Sequence, residues 1–540
     1  MNFPGWLQLF GGVLLDAIAP GRKLRRELRA RWGRPGQDEV SFLASGYFDL
    51  IRDKPAPMRV DDRTWNDLEF PRIFALLDTT LTPIGRQVLF AQLRTWPKTG
   101  DEAAQVHTLC DYLRAQPALR ERIQFKLAAL RDESNAGVAW FAFGPGPERP
   151  KYTFLLPLWG LVSLFVLAAT IAFGWSFWIW LGILFVNALI LFRAGSWLNR
   201  DTRILEDCAR TLRSAQTLTV MARPELPPLQ RLAEQSPQRA DARRLLRWMR
   251  WLQLLNFGVF DLSSVLTLAF LAKPIACVVA IGRFERLRPA LATAFESIGA
   301  IDAAIAVASF LEYRPDHCRP RIEDGPLLDI RDGCHPLLPK PVKNSLRLDG
   351  QSALITGSNM AGKTTFVKMV AINQILGRTL GFCLASSATL PLTGVMTSIR
   401  GEQSVESGRS HYFAEVDAIR SFLEEAKRDR HPILVIDELF RGTNTRERVA
   451  LARAVLEYLA RRALVLVTTH DIELQPLLAG QYMPLHFREN PDIEGFFDYR
   501  LRPGVSRARN AIRILDRMGF PESIVTSAMD YASEKPTGQR

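Results

Sequence analysis

The chain has little cysteine and histidine, 6 and 7 residues among 540. Its cysteines stand at positions 110, 208, 277, 318, 334 and 383, with no C-x-x-C pair among them. This scatter argues against a disulfide framework and against the common zinc sites, and it fits a reducing compartment. A secretory signal peptide is also missing. Trp6 to Ile18 is apolar, but no basic segment precedes it, Asp16 interrupts it and its charges come afterwards. No internal repeat or low-complexity tract stands out. Nor is there an acidic excess. The net charge is +13, so acidic partners such as nucleic acid or anionic lipid suit it.

Charge is absent altogether from two neighbouring stretches, Tyr152 to Phe173 and Phe177 to Phe192. The first, read as a helix, spans roughly 33 Å, the thickness of a bilayer core. The second is shorter and near the lower limit for spanning. Trp159, Trp175, Trp178 and Trp180 suit a membrane interface. Arg149 and Lys151 precede the pair, and Arg193 and Arg200 follow it, so both ends belong on the cytoplasmic side. The expectation is a transmembrane hairpin over 152–192, with a hairpin buried inside the protein as the alternative.

The remaining organisation follows from composition. Residues 1–59 form a basic N-terminal segment, dense in arginine from Arg22 to Arg31, that either lies at a membrane interface or docks on the protein as a helix. Helical periodicity begins near residue 60, with Asp78 to Thr82 as a turn and cap. Leu252 to Ile281 is apolar but carries Asn256, Asp261, Lys273 and Pro274, which favours a core helix over a membrane segment. Phe284 to Leu311 reads as an alanine-rich helix, and residues 314–345, punctuated by Pro and Gly, as a domain junction. Residues 60–315 are therefore a helical core, and residues 316–540 an α/β domain in which strands alternate with helices.

Chemistry concentrates in the second half. Leu354 to Phe366 runs apolar strand, Gly357 to Gly362, then Lys363 and Thr364 opening a helix, the G-x-x-x-x-G-K-[ST] spacing of a P-loop. Glycines let backbone N–H groups close around phosphate at a helix start. Gly357, Ser358, Asn359, Met360, Ala361, Gly362, Lys363, Thr364 and Thr365 are the expected nucleotide cradle, Lys363 reaching the β- and γ-phosphates and Thr364 ligating Mg²⁺. The helix is expected to stop at Gly377. Pro432 to Ile436 reads as a buried strand ending in Asp437-Glu438, about seventy residues after the P-loop. There Asp437 should hold Mg²⁺ and Glu438 should orient the attacking water. A further strand, Leu464 to Thr468, delivers His470, placed to sense the γ-phosphate. Glu406 to Ser410 is a polar turn opening onto a helix, a second anion-binding device or an ordinary N-cap.

The order of Thr356-Gly-Ser-Asn-Met-Ala-Gly-Lys-Thr-Thr-Phe366, Glu406-Ser-Gly-Arg-Ser410, Asp437-Glu-Leu-Phe-Arg-Gly-Thr-Asn444 and Thr468-Thr-His-Asp471 resembles the MutS family of ABC-type ATPases. Asp61 to Leu93, Ser297 to Phe310, His335-Pro336 to Asn344 and Tyr499 to Pro521 extend the likeness. The resemblance implies a homodimer with two composite ATP sites, each P-loop completed in trans by Ser407 to Ser410, with Ser410 on phosphate. It implies an ATPase using ATP and Mg²⁺, with Lys363, Glu438 and His470 catalytic, Thr364 and Asp437 on the metal, and C-terminal dimerisation helices. Several departures stand out. The family's mismatch-reading and connector domains are not seen. The apolar hairpin falls where DNA-clamping helices project. Phe440 replaces a usual glycine, and Ser358 a usual proline. Pro341 and Val342 fall where an aromatic ring commonly stacks on adenine.

The expected function is therefore a dimeric, MutS-like ATPase at the cytoplasmic membrane, its ATPase domain in the cytoplasm, binding DNA through backbone phosphates without sequence preference. The alternative is a membrane-anchored ATP-driven scaffold or regulator acting on a protein or lipid.

Overall fold

The computed structural model describes residues 20–36, 42–53, 58–145, 151–234, 262–399, 411–428, 431–440, 444–488, 497–505 and 519–533. They fall into two compact units, one within 1–55, 76–91 and 109–313, the other within 56–75, 92–108 and 314–540. The apolar stretch Trp6 to Ile18 and the polar turn Glu406 to Ser410 lie outside the described residues.

The first unit is helical. Its basic helix α1 (Pro20–Arg31) buries Leu28 and pairs Arg29 with Glu121 through two hydrogen bonds of 2.7 and 2.9 Å. Helices α2 (Leu156–Phe173) and α3 (Phe177–Leu218) form a hairpin whose turn is closed by Gly174 at φ +67°. A left-handed residue is cheap only for glycine, which is why the turn falls there. The sequence places the end of the second apolar run at Phe192, but the helix does not stop. α3 continues for 42 residues, and past Arg193 it buries Ala194, Trp197, Leu205 and Cys208 in the helical core. Along its two apolar runs the hairpin is bare on one side: Phe165, Ile171, Phe173, Trp178, Phe185 and Phe192 are all exposed.

The unit's second long helix, α5 (Ala272–Tyr313), follows the short α4 (Leu262–Phe270). Its alanine-rich part is buried on every side from Ile301 to Leu311. Against it lies the helix Pro83–Arg94, admitted by two glycines: a Cβ on Gly85 would meet Asp302 Oδ2 at 2.2 Å, and one on Gly299 would meet Val88 Cγ2 at 2.2 Å. Asp302 accepts from Leu81 N, Thr82 N and Thr82 Oγ1 at 3.1, 2.9 and 2.7 Å, and Thr82 Oγ1 accepts from Gly85 N at 2.9 Å. The cap read from Asp78 to Thr82 is thus built partly by a buried carboxylate two hundred residues away in sequence. Among the described residues, three helices are long and apolar enough to cross a bilayer, Tyr152–Phe173, Phe177–Met221 and Glu285–Tyr313. Their most apolar windows are 28, 11 and 89% buried, so the third is a core helix and the first two are apolar surface.

The second unit is α/β. Its main sheet has the order β10-β9-β4-β8-β7-β6, from β4 (Ser352–Thr356), β6 (Val395–Ser398), β7 (Ile433–Asp437), β8 (Leu464–Thr469), β9 (Tyr482–His486) and β10 (Arg502–Pro503). All its pairings are parallel except β9 with β10. A smaller sheet, β1-β5-β2-β3, joins β1 (Arg321–Glu323), β2 (Leu327–Gly333), β3 (Asn344–Asp349) and β5 (Ser387–Pro391). The stretch 314–345, read from sequence as a junction, therefore holds strands; its Pro and Gly sit between them. Helix α6 (Lys363–Thr379) touches both sheets and is buried almost all round. Its two buried amides are spent on backbone: Asn373 Oδ1 accepts from Leu384 N at 2.7 Å, and Gln374 Nε2 donates to Pro391 O at 3.0 Å and Thr393 O at 2.8 Å. Gly377 does not end this helix as expected. It lets the helix pack on β5, where a Cβ would meet Leu390 Cδ1 at 2.3 Å.

The boundary at 315/316 also differs from the compact units. Residues 56–75 and 92–108 group with the α/β unit. Asp61 caps the helix Asp62–Asp67, and Asp67 accepts from Thr397 Oγ1 and Ile399 N, both at 2.8 Å. Burial raises the pKa of this carboxyl above its ordinary value. Arg378 donates to Pro97 O at 3.0 Å. Such long-range bonds leave no trace in local periodicity.

Candidate active site

The site forms where β4, β7 and β8 end side by side, Thr356 paired with Thr469 and Asp437 with Thr468. Parallel strands flanked by helices present their carboxyl ends together, so three loops distant in sequence converge. After β4, Gly357 adopts φ +139° with the backbone of Phe487 so close that a Cβ would meet its carbonyl oxygen at 2.7 Å. Asn359 to Ala361 make one 3-10 turn, Met360 pointing outward at 74% exposure, so it contributes backbone and not side chain. Gly362 at φ +98° turns the chain into α6, where a Cβ would press on Tyr499 at 3.1 Å. Ser358 Oγ is buried without a hydrogen-bond partner inside this loop. The loop is therefore a cradle open to backbone N–H groups with one orphaned hydroxyl, and it fits a polyphosphate.

Lys363 is 2% exposed, its Nζ bonded to Gly357 O and 3.3 Å from His470 Nε2. Thr364 Oγ1 donates to Asp437 Oδ2 at 2.9 Å, and Thr468 Oγ1 donates to Asp437 Oδ1 at 2.5 Å. Glu438 Oε1 lies 2.8 Å from His470 Nε2, and Glu438 itself takes φ +65° while its N–H donates to Thr468 O at 3.1 Å. Thr365 is exposed on the rim of the same loop. The fold thus brings together Lys363, Thr364, Asp437, Glu438 and His470. Ser410 and the Arg441 to Thr443 segment lie outside the described residues.

Three supports escaped sequence reasoning. Asp471 is held by Arg448 of helix α8 (Thr445–Ala460) through bonds of 2.8 and 2.6 Å, which raise the guanidinium pKa and fix the residue next to His470. Glu415 of helix α7 (His411–Ala426) accepts from Phe440 N, tying the loop after β7 to that helix. The third is a cavity of about 320 Å³ beside the cradle, lined among others by His335, Lys340, Val342, Asn344, Phe366 and Tyr499. Asn344 fixes Tyr499 there: its Nδ2 donates to Tyr499 O at 2.9 Å and its Oδ1 accepts from Leu501 N at 2.8 Å. Burial pushes His335 down to about 4, so it is a neutral wall. Nothing local marks Tyr499; the only hint is an aromatic residue in a polar stretch with no helical or strand period.

A strand-end cradle with lysine, a threonine and aspartate pair, and an acid beside a histidine suit an ATPase-type α/β domain. Residues 353–535 match the profile of MutS domain V. The DNA mismatch repair protein MutS of Natronomonas pharaonis is 32% identical over 277 residues, covering 48% of this chain and 31% of that protein. The MutS of Thermus aquaticus is 32% identical over 252 residues, covering 46% and 30%. The DNA mismatch repair protein MutS 2 of Haloarcula marismortui is 30% identical over 256 residues, covering 41% and 26%. Residues 353–535 thus carry a domain of the MutS family, and the matched part of the chain spans under a third of the length of these relatives.

Proposed function

We propose that this chain is a Mg²⁺-dependent ATPase of the MutS type that works as a homodimer and couples nucleotide state to grip on DNA at a membrane. The observation that carries the ATPase reading is the chain of bonds from Thr364 through Asp437 to Thr468, lying beside the Lys363, His470 and Glu438 cluster. Lys363 and the backbone of Gly357 to Thr365 would bind the phosphates. Thr364 and Asp437 would hold Mg²⁺, which when bound supplies positive charge at the phosphate oxygens. Glu438, steered by His470, would accept a hydrogen bond from the attacking water and orient it. Tyr499 offers the base a flat face where Pro341 and Val342 do not. Ser410 of the other copy would complete each site.

The net charge of +13 supports contact with DNA phosphates, a sequence-independent and salt-sensitive mode. The bare apolar hairpin supports anchorage in the cytoplasmic membrane, with basic residues at its open end toward the cytoplasm. That hairpin also favours a second reading, a membrane scaffold or regulator whose ATP cycle acts on a protein or lipid. ATP turnover of the full chain, measured alone, with duplex DNA and with anionic liposomes, separates the readings. DNA stimulation that disappears at high salt supports the first. Liposome stimulation without any DNA effect supports the second, and no turnover under any condition removes both.

A further inference from the structure

The third apolar stretch of the chain breaks in two. Residues Ser264–Phe270 and Ala272–Gly282 meet at an angle of 84°, with Leu271 between them at φ +53° and fully buried. Sequence reading prefers a core helix here, because of Asn256, Asp261, Lys273 and Pro274. The structure instead packs the break against the apolar hairpin. Gly160 of α2 comes so close that a Cβ there would meet Phe270 O at 3.0 Å and Ile275 Cδ1 at 2.6 Å.

A break in a helix frees carbonyl groups, and Pro274 brings no N–H to replace the missing donors. One side chain takes up two of them. Asn187, fully buried in α3, donates from Nδ2 to Leu268 O at 2.9 Å and Ala269 O at 3.0 Å. Its Oδ1 accepts from Trp159 Nε1 of α2 at 2.7 Å. This amide is the one strongly polar side chain in the run Phe177 to Phe192. It links all three elements, and both its donor and its acceptor groups are used. At a water-exposed surface such a cap would be unnecessary, since solvent satisfies a frayed helix end; in hydrocarbon a freed carbonyl has no solvent partner.

Its depth fits. Asn187 follows Phe177, at the hairpin turn, by ten residues, about 15 Å along the axis, or half of a hydrocarbon core of about 30 Å. The arms of the broken segment, Ser264–Phe270 and Ala272–Gly282, are about 10 and 16 Å long, so neither alone crosses the hydrocarbon core and the longer reaches about half its depth. Val265 and Leu268 are exposed and continue the apolar surface of the hairpin. Lys273 is half-buried on the hairpin-covered element, a place where an intramembrane charge is tolerated better than on a lipid-facing span.

We infer that residues 264–282 form a third intramembrane element, a re-entrant helix that turns back near the bilayer midplane, and that Asn187 is its internal cap. This rests on the reading of 152–192 as a membrane hairpin.

The test is labelling of the full chain in native membranes with a photoactivatable carbene probe dissolved in the lipid, followed by peptide mapping. The expected result is label on Val265 and Leu268 as well as on Leu161 and Phe185. Label on the hairpin with none on 264–270 overturns the re-entrant element and leaves the anchor standing. No label on either overturns the anchor itself. Asn187→Leu should keep the hairpin label yet cause several-fold faster proteolysis within 262–282, while Trp159→Phe, which leaves the two carbonyl bonds in place, should not. Equal proteolysis of wild type and Asn187→Leu overturns the capping role.

Discussion

Thr364 and Asp437 are 73 positions apart and share a hydrogen bond of 2.9 Å from Oγ1 to Oδ2. One lies in the first turn of the helix after the cradle and the other ends a buried strand, so the fold brings two hard oxygen atoms together. Oxygen pairs of this kind suit Mg²⁺, which is held by one or two protein groups and otherwise by substrate and water.

Replacing either ligand should therefore impair turnover more than nucleotide capture. Asp437→Asn and Thr364→Val are expected to lower Mg²⁺-dependent kcat by roughly 100-fold or more, the usual scale for losing one charge-stabilising group. Steady-state ATPase assays across a Mg²⁺ titration check this. Turnover within a few-fold of wild type for both variants would falsify the metal assignment.

Lys363 and Glu438 should separate binding from hydrolysis. Lys363 is buried against the cradle, its Nζ on Gly357 O, and Lys363→Ala removes that cation. Nucleotide binding, read by equilibrium titration, should be lost. Glu438→Gln keeps the shape but not the charge of the group beside His470, and should bind ATP normally while hydrolysing it about 100- to 10,000-fold more slowly. A slow variant that also fails to bind would assign Glu438 to structure instead.

How much of this was legible before the structure depends on whether the signal is local. The cradle was readable because strand, glycines, lysine and helix follow one another within a few residues. His470 was readable because a short apolar run precedes it. Tyr499 was not, since its place over Gly362 is set by Asn344, some 155 positions away. The broken helix was hidden for the same reason: nothing at Leu271 announces a left-handed residue, and the amide that caps it belongs to another helix. The grouping of residues 56–75 with the α/β unit rests on Asp67, whose two partners come from far along the chain.

Tyr499 should matter to nucleotide affinity. Stacking of an aromatic ring on a base is worth roughly 1–3 kcal/mol, so Tyr499→Ala should weaken ATP binding by about 5- to 150-fold. Tyr499→Phe should retain it. Asn344→Ala, which frees the loop carrying the ring, should weaken binding in the same direction. If Tyr499→Ala binds ATP like wild type, the cavity beside the cradle is not where the base sits.

His335 gives stability a pH dependence of known sign. In the folded chain burial holds it at about 4, below an ordinary histidine near 6.5. Between those values the unfolded chain binds the proton and the folded chain does not, so stability is complete above 6.5 and falls as pH drops toward 4. The gap corresponds to roughly 3 kcal/mol. Thermal melts of wild type and His335→Gln from pH 7 to 4.5 should show a flatter profile for the variant; parallel profiles would contradict it.

Phe440 tests which of two opposing effects is larger. It stands at φ +55°, a left-handed conformation that costs a non-glycine residue on the order of 1–3 kcal/mol. Glycine would relieve that strain. Yet the ring is 5% exposed in a core with Phe422, Leu439 and Leu456, and emptying such a site costs roughly 3–5 kcal/mol. The cavity should win, so Phe440→Gly is expected to be destabilised by about 2 kcal/mol. Phe440→Ala leaves nearly the same cavity and keeps the strain, so it should be less stable than Phe440→Gly by about 1 kcal/mol. Chemical denaturation of the two variants, compared by midpoint, reads the order directly. A glycine variant as stable as wild type would mean that the packing of the ring behind β7 is worth no more than the strain it imposes. An alanine variant more stable than the glycine one would mean that the backbone there is unstrained.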